Sequence, residues 1–104
     1  MNFITIIRRA KKIQAEYKKY NLKKNQKPWT VAEYTQGFVG DVGDLSKLIM
    51  AKNRYRHIND VDSKIAHELA DCLWSIIIIS SELGIDLEKE FASTMNEIES
   101  KIKI

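Results

Sequence analysis

The stretch GDVGDLSKL, residues 40–48, lies inside the mostly apolar segment FVGDVGDLSKLIM, residues 38–50. Apolar residues recur in this segment every three or four positions, which is the spacing of one face of an α-helix. Asp41 and Asp44 are also three residues apart, on or beside that face. The spacing therefore predicts a helix. Because an unpaired carboxylate is costly to bury, it also predicts that the two acids have a partner or a functional role.

The same periodicity extends outward from this stretch and predicts four helices joined by short connections. The predicted helices span residues 3–20, 31–53, about 60–83, and 87 to near the C-terminal end. Thr30 and Glu33 form a capping-box pattern before the second helix, and Asp60 or Asp62 can cap the third. Gly84 predicts the end of the third helix, and Asp86 can cap the fourth. We therefore predict an all-α four-helix bundle.

The composition is that of one globular domain. The chain has 104 residues, of which 44% are hydrophobic and 30% charged, with one Pro and four Gly. We assign residues 1–29 to a basic helix and its connection, and residues 30–104 to the rest of the domain. The lone Cys72 cannot form an internal disulfide, and no signal-peptide pattern is visible, so we expect a cytoplasmic protein with no membrane partner.

The run WSIIIIS, residues 74–80, has the β-propensity of a buried strand but lies within helical spacing on both sides. We interpret the run as part of the third helix. A helix that is apolar on most sides cannot be covered by a domain of this size alone. We therefore expect a homodimer or homotetramer, and we expect Ile78→Glu to give a soluble monomer.

The charge is distributed unevenly along the chain. Residues 1–30 hold nine Lys and Arg and one acid, whereas residues 31–104 hold eight Lys and Arg and thirteen acids. A basic front of this kind is either a solvated helix face or a surface that attracts a phosphorylated molecule. No aromatic-and-basic nucleic-acid motif accompanies it, so we do not expect a nucleic acid partner.

A second pair of acids repeats the spacing of the first. Glu68 and Asp71 are three residues apart, and Glu68 shares an apolar stripe with Ile65 and Cys72. Each of the two helices therefore directs a pair of acids toward the interior. The neighbouring His67 is expected to point elsewhere.

Four carboxylates at one interior seam require compensation, since they repel one another and lose hydration. One interpretation is a rim of surface ion pairs with Lys47, Lys64 or Arg54. The other is a divalent cation, and all-oxygen ligands suit Mg²⁺, or Mn²⁺ as a substitute. The chain has no Cys/His cluster for zinc and no Glu-x-x-His pairs for di-iron. Gly40 and Gly43 predict a close approach by a neighbouring helix or by a phosphate.

These two acidic motifs resemble those of the MazG-like all-α NTP pyrophosphatase superfamily, which carries E-x-x-E followed by E-x-x-D. FVGDVGDLSKLIMAK is similar to the LVGEVGEL segment of the dCTP pyrophosphatase-like branch, and HELADCLWSIIIISSELGIDLEKEF resembles its third helix and the start of its fourth. The resemblance covers about residues 30–100, and the first helix matches only in kind. It implies that the all-α fold is a MazG-like four-helix bundle completed by oligomerisation.

The resemblance implies hydrolysis of a nucleoside triphosphate to the monophosphate and pyrophosphate. It implies four Mg²⁺ ligands, which are Asp41, Asp44, Glu68 and Asp71. Asp44 and Glu68 would be catalytic, with Asp44 as the base that takes the proton of the attacking water. Substrate contacts would come from Lys52, Trp29 and Asn96. Trp29 is either a hydrophobic staple before the helix or a stacking partner for a base.

The sequence also departs from the family pattern. Both acids of the first motif are the shorter Asp, and Ala51 replaces an aromatic residue that often helps hold the base. Thr94 and Ile98 stand where the family has Lys and Asn. The resemblance therefore implies a metal site that keeps its charge and a substrate pocket that has changed.

Three functions follow from these patterns. The first is a Mg²⁺-dependent nucleotide pyrophosphohydrolase that acts on (d)NTPs, with a role in nucleotide-pool house-cleaning. The second is a non-catalytic nucleotide- or metal-binding regulator of the same fold. The third is a basic helical adaptor for nucleic acid.

Overall fold

The computed structural model describes residues 2–53 and 57–103 as an all-helical fold. The helices are α1 (Phe3–Lys23), α2 (Val31–Lys52), α3 (Val61–Glu82) and α4 (Leu87–Ile102). No strand occurs in these two ranges, so the all-α prediction is confirmed and WSIIIIS is helical. Residues 54–56, part of the loop expected at 54–59, lie outside the described residues. None of the four helices is both long enough and apolar enough to cross a lipid bilayer.

The first helix ends three residues later than the sequence predicted, and Asn25 explains the end. Asn25 adopts a left-handed backbone with φ 57°. Its N–H donates to the carbonyl of Leu22 (3.1 Å), and the N–H of Gln26 donates to the carbonyl of Asn21 (2.8 Å). This pair of bonds is a Schellman motif, which satisfies carbonyls that the helix end leaves without partners.

The third helix ends with the same motif, as its glycine predicted. Gly84 has φ 68°. Its N–H donates to the carbonyl of Ser81 (3.1 Å), and the N–H of Ile85 donates to the carbonyl of Ser80 (2.9 Å). The prediction that Gly84 stops α3 is confirmed.

The N-caps of α2, α3 and α4 are residues that the sequence predicted, but their side chains do not all make the expected hydrogen bonds. Asp86 caps α4 by accepting a hydrogen bond from the N–H of Lys89 (3.1 Å). Thr30 occupies the N-cap of α2, but its hydroxyl donates to the carboxylate of Glu33 instead of accepting from the backbone. Asp60 occupies the N-cap of α3 without a side-chain cap.

The core lies where α1, α2 and α3 meet. It is formed by buried residues from these three helices, with half-buried apolar residues packed around them. The buried residues are Ala10, Tyr34, Ile77 and Ile78, and the surrounding residues are Ile6, Ile7, Trp74, Ile79 and Leu87. α2 packs along α3, while α1 and α4 also contact α3. The third helix is therefore the central element that positions the others.

The isoleucine run of α3 is covered more fully than the sequence predicted. Ile77 and Ile78 are 2% and 0% exposed within the single chain, whereas Ile76 is 38% exposed. The expectation that Ile78→Glu would give a soluble monomer is therefore wrong, because this change would place a carboxylate in the core.

Candidate functional site

Three of the four acids predicted as metal ligands come together between α2 and α3. Asp41 and Asp44 project from α2 and Glu68 projects from α3, and one oxygen of each lies within 4.8 Å of the others. Asp41 and Glu68 are half-buried, and Asp44 is exposed. The i,i+3 spacing on α2 places both Asp side chains toward the neighbouring helix. We call these three residues the acid cluster.

The acid cluster concentrates negative charge in a partly dehydrated place. Burial raises the pKa of Asp41, and the carboxylates of Asp71 and Asp44 raise it further. Burial is also the first cause of the raised pKa of Glu68, followed by its three acidic neighbours. The pKa of the Cys72 thiol is raised by burial and then by the same negative field. A cation at this position would therefore be stabilised by the surrounding charge.

The described residues do not provide that cation. Within residues 2–53 and 57–103, no Lys or Arg forms an ion pair with a member of the acid cluster. Lys47 and Lys64, the predicted partners, are not paired with these acids, and Arg54 lies outside the described residues. In addition, the Oε2 atom of Glu68 is buried and has no hydrogen-bond partner among the described residues.

Asp71 lies outside the acid cluster and has a different neighbour. Its Oδ2 atom is 3.2 Å from Nε2 of His67, one helical turn earlier. The charge of His67, when protonated, lowers the pKa of Asp41 and Glu68 and so opposes their other neighbours. From the sequence we expected His67 to point away from the acids. Its i,i+4 spacing to Asp71 indicates the observed contact.

A cavity of about 680 Å³ begins beside the acid cluster and extends toward α1. Asp41 lines this cavity and also belongs to the acid cluster, so the two features are continuous. Asp71 and His67 line it as well. Four aromatic residues, which we call the aromatic wall, also line the cavity: Tyr17, Trp29, Tyr34 and Trp74.

The rings of the aromatic wall contact one another edge to face. Their centroids are 6.2 Å apart for Tyr17 and Trp74, 6.0 Å for Tyr34 and Trp74, and 5.5 Å for Trp29 and Tyr34. Such contacts are favourable beyond the area that they bury. Gly37 leaves room for Trp29, because a Cβ at Gly37 would lie 3.2 Å from its Cζ3 atom.

Hydrogen bonds hold two of these rings in place. The Nε1–H of Trp74 donates to the carbonyl of Ala10 (3.3 Å). The side-chain amide of Gln14, which is buried, donates to the hydroxyl of Tyr34 (3.3 Å) and to Oε1 of Glu82 (2.5 Å). The orientation of the wall is therefore fixed from the α1 side. From the sequence, only Trp29 was considered as a stacking partner for a base, because helical spacing does not indicate which faces of separate helices meet.

The other predicted substrate contacts lie farther from the cavity. Lys52 is eleven residues after Asp41 on α2, about 16 Å along the helix axis, and its ammonium pairs with Asp62. Asn96 is exposed on α4 and does not line the cavity. Thr94 and Ile98 are exposed on the same helix.

The two glycines of the acidic stretch do not meet a neighbouring helix. Apart from the backbone of α2 itself, no described atom lies within 4 Å of a Cβ built on Gly40 or Gly43. The expected close approach of a helix is therefore wrong within the described chain, and space remains beside both residues.

No known protein family, curated protein or solved structure matches the chain. Two features of the molecule remain as indications of its function, the acid cluster and the aromatic-walled cavity that it adjoins.

Proposed function

We propose that the protein is a Mg²⁺-dependent nucleoside triphosphate pyrophosphohydrolase that converts a (d)NTP to the (d)NMP and pyrophosphate, with nucleotide-pool house-cleaning as its role. The observation that carries the proposal is the continuity of the acid cluster with the aromatic-walled cavity through Asp41. A nucleotide has the matching halves, since its base can stack on aromatic rings and its phosphates bind through Mg²⁺.

The residues of the acid cluster fit a hard divalent cation. They offer carboxylate oxygens, the donors that Mg²⁺ prefers and that Mn²⁺ also accepts. The buried Oε2 of Glu68 lacks a partner among the described residues, and a metal ion would supply one. When bound, the metal would screen phosphate charge and acidify a water molecule. Asp71, at the cavity side of the cluster, is the remaining ligand in this proposal.

In this proposal, the position of each residue determines its role in binding or catalysis. Asp41 and Glu68 hold the metal, and Glu68 is catalytic through this contact. Asp44 is exposed, so it can take a proton from water and pass it to solvent. The aromatic wall holds the base, and Tyr17 and Trp29, which are 55% and 48% exposed, are its more accessible members. Lys52 and Asn96 would contact phosphates only in an assembly or conformation that brings them closer.

A homodimer or homotetramer is part of this proposal. α4 has no buried residue, and one side of it carries exposed apolar residues at helical spacing, which are Phe91, Met95, Ile98 and Ile102. On α3, Leu69, Leu73 and Ile76 are exposed in the same way. Apolar stripes of this length on two helices are typical of an interface. The free Cys72 thiol fits a reducing, cytoplasmic location.

The alternative is a non-catalytic nucleotide- or metal-binding regulator of the same fold. One observation favours it: Asp71, implied as a ligand, pairs with His67 outside the acid cluster. A cluster of three carboxylates without the fourth can bind a metal and a nucleotide without hydrolysing it.

The experiment that separates these two functions is a pyrophosphate-release assay on canonical and modified (d)NTPs. It is run with Mg²⁺, with Mn²⁺ and with EDTA, and product is identified as (d)NMP. We expect metal-dependent release that Asp41→Asn and Glu68→Gln abolish and that Asp44→Asn slows by about 10²–10⁴-fold.

Glu90→Gln is the matched control, because Glu90 is an exposed acid on α4 outside the site. It should retain wild-type rates. If folded, metal-loaded protein binds nucleotides but releases no pyrophosphate from any of them, the regulator is correct and the enzyme is not.

A further inference from the structure

The turn after α1 places two amide side chains at the cavity, and neither has a role in the function proposed so far. We propose that Asn21 and Gln26 select the substrate by hydrogen bonding to the edge of its nucleobase. The inference rests on the proposed function, because it assigns specificity to the same site.

The Schellman motif at the end of α1 is what brings these residues together. The left-handed Asn25 reverses the chain, and the backbone N–H of Gln26 then donates to the carbonyl of Asn21 at 2.8 Å. Both side chains line the same cavity as the aromatic wall. A hydrogen-bonded turn has a defined geometry, so the two residues are held next to each other in the lining of the cavity.

The two amides are available for a ligand. Within the described ranges, the side chains of Asn21 and Gln26 make no hydrogen bond to another residue. The nearby Gln14 differs, because its amide already binds Tyr34 and Glu82. The indole N–H of Trp74 is likewise committed to Ala10.

The chemistry of an amide matches the edge of a base. Each amide offers a donor and an acceptor side by side, and base edges present the complementary pattern. Stacking on aromatic rings tolerates every base, so the wall alone cannot discriminate. A cavity of about 680 Å³ accommodates a nucleoside-sized ligand. With the phosphates at Asp41, the base would extend toward α1, where the amides are.

The charge of these side chains supports the same assignment. Asn21 and Gln26 are neutral, whereas the cavity already holds the carboxylates of Asp41 and Asp71. A neutral base can be placed beside the two amides without a countercharge. A phosphate would instead be drawn to the metal at the acid cluster.

The first test compares Asn21→Asp and Gln26→Glu with wild type across the common (d)NTPs. Each change keeps the side-chain shape but replaces the NH₂ donor with an acceptor. We expect the ratio of kcat/KM between the best substrate and the others to change by about tenfold or more, because a bidentate contact to one base edge is lost.

The matched control is Gln36→Glu, which adds the same charge on an exposed position of α2 outside the cavity. It should shift kcat/KM for all nucleotides by one common factor and leave the ratios unchanged. Unchanged ratios in Asn21→Asp and Gln26→Glu would overturn the inference while leaving the proposed function intact.

The second test does not depend on hydrolysis. Both tryptophans of the chain lie on the aromatic wall, so nucleosides bound in EDTA should quench intrinsic fluorescence. We expect wild type to rank the four common nucleosides and the two variants to change that ranking. This result would support the inference even if no nucleotide were hydrolysed, and the absence of quenching by any nucleoside would overturn it.

Discussion

Glu68 is the residue at which stability and the proposed function conflict most. One of its carboxylate oxygens is buried without a partner among the described residues, and two other carboxylates lie close by. An arrangement of this kind raises the free energy of the folded protein when it holds no cation. Natural proteins retain such destabilising groups mainly at functional sites.

The first prediction concerns the charge of the acid cluster. We expect Glu68→Gln and Asp41→Asn to raise the free energy of unfolding of the metal-free protein by about 1 kcal/mol each, since each removes a repulsion at short range. The same changes should remove the stabilisation that wild type gains from Mg²⁺. Urea denaturation in EDTA and in Mg²⁺ measures both effects.

Glu90→Gln serves as the control here as well, and its stability should not change with metal. A loss of stability in EDTA for Asp41→Asn or Glu68→Gln would contradict this prediction. It would mean that these carboxylates stabilise the fold without a bound cation.

The second prediction concerns pH and the start of α2. The hydroxyl of Thr30 donates to the carboxylate of Glu33 and holds the pKa of this carboxyl below its ordinary value of 4.5. A Glu with a lowered folded pKa stabilises the fold above its unfolded pKa, and this stabilisation is lost as the pH falls through the folded pKa.

We therefore expect wild type to melt slightly above Glu33→Gln at pH 7 and the two to converge below the folded pKa of Glu33. Thermal melts from pH 7 to pH 3 provide the comparison. A difference that stays constant over this range would show that the charge of Glu33 contributes nothing at α2.

At the residue scale, the sequence was informative about the acids and much less so about the cavity. The i,i+3 spacing of Asp41 and Asp44 and the position of Glu68 were sufficient to predict three carboxylates at one seam. Tyr17 and Trp74 could not be assigned to the cavity from the sequence. Each lies on a helix face that contacts a helix distant in the sequence. Helical periodicity assigns a residue to a face and does not say what that face contacts.

At the element scale, the glycines of α2 differ in what surrounds them. Gly40 and Gly43 have open space where a Cβ would be, whereas a Cβ at Gly37 would meet the ring of Trp29. The third prediction is that Gly40→Ala and Gly43→Ala each stabilise the protein by roughly 0.5–1 kcal/mol, since Ala is the better helix former.

Gly37→Ala and Gly84→Ala are the contrasting variants for this prediction. The first displaces Trp29 from the aromatic wall, and the second places a side chain at φ 68°, so both should stabilise less or destabilise. Thermal melts rank the four. If Gly40→Ala or Gly43→Ala melts below wild type, a second copy of the chain or another part of it occupies that space.

The residues that follow α1 and α3 explain why the end of α3 was predicted more accurately than the end of α1. Gly84 marked the end of α3 because glycine adopts positive φ without strain. Asn25 does the same for α1, but Asn is a weaker signal, and the residues before it are polar enough to suggest a loop. Asn21, Leu22 and Lys23 were therefore assigned to a connection although they are helical.

At the scale of the whole molecule, the apolar stripe of α4 is a surface that the single chain leaves uncovered. Phe91 is 60% exposed, and three further apolar residues follow it at helical spacing. The fourth prediction is that Phe91→Lys or Met95→Lys gives a folded monomer. Ile78→Glu should instead unfold the chain, because Ile78 lies in the core.

Light scattering after size-exclusion chromatography, with circular dichroism, distinguishes these outcomes. Ile4→Lys is the control, because Ile4 is an exposed apolar residue of α1. A wild-type protein that is monomeric at high concentration would contradict the proposed assembly. The sequence anticipated an uncovered apolar surface but assigned it to the wrong residue, since a run of four isoleucines does not reveal which one faces outward.

The attachment of α1 has a consequence for how the chain is made. The backbone of Ala10 accepts its hydrogen bond from Trp74, and Gln14 binds Glu82, so these partners are separated by 64 and 68 residues. A ribosome that adds roughly 5–20 residues per second would leave α1 without them for about 3–14 s. Trp74 and Glu82 belong to α3, so α3 is complete only at the end of this interval. The hairpin of α2 and α3 can form after that point, and α1 then docks onto it. Of the four described helices, α1 is thus synthesised first and is among the last to become native, so it stays exposed to chaperones and proteases in a newly made chain.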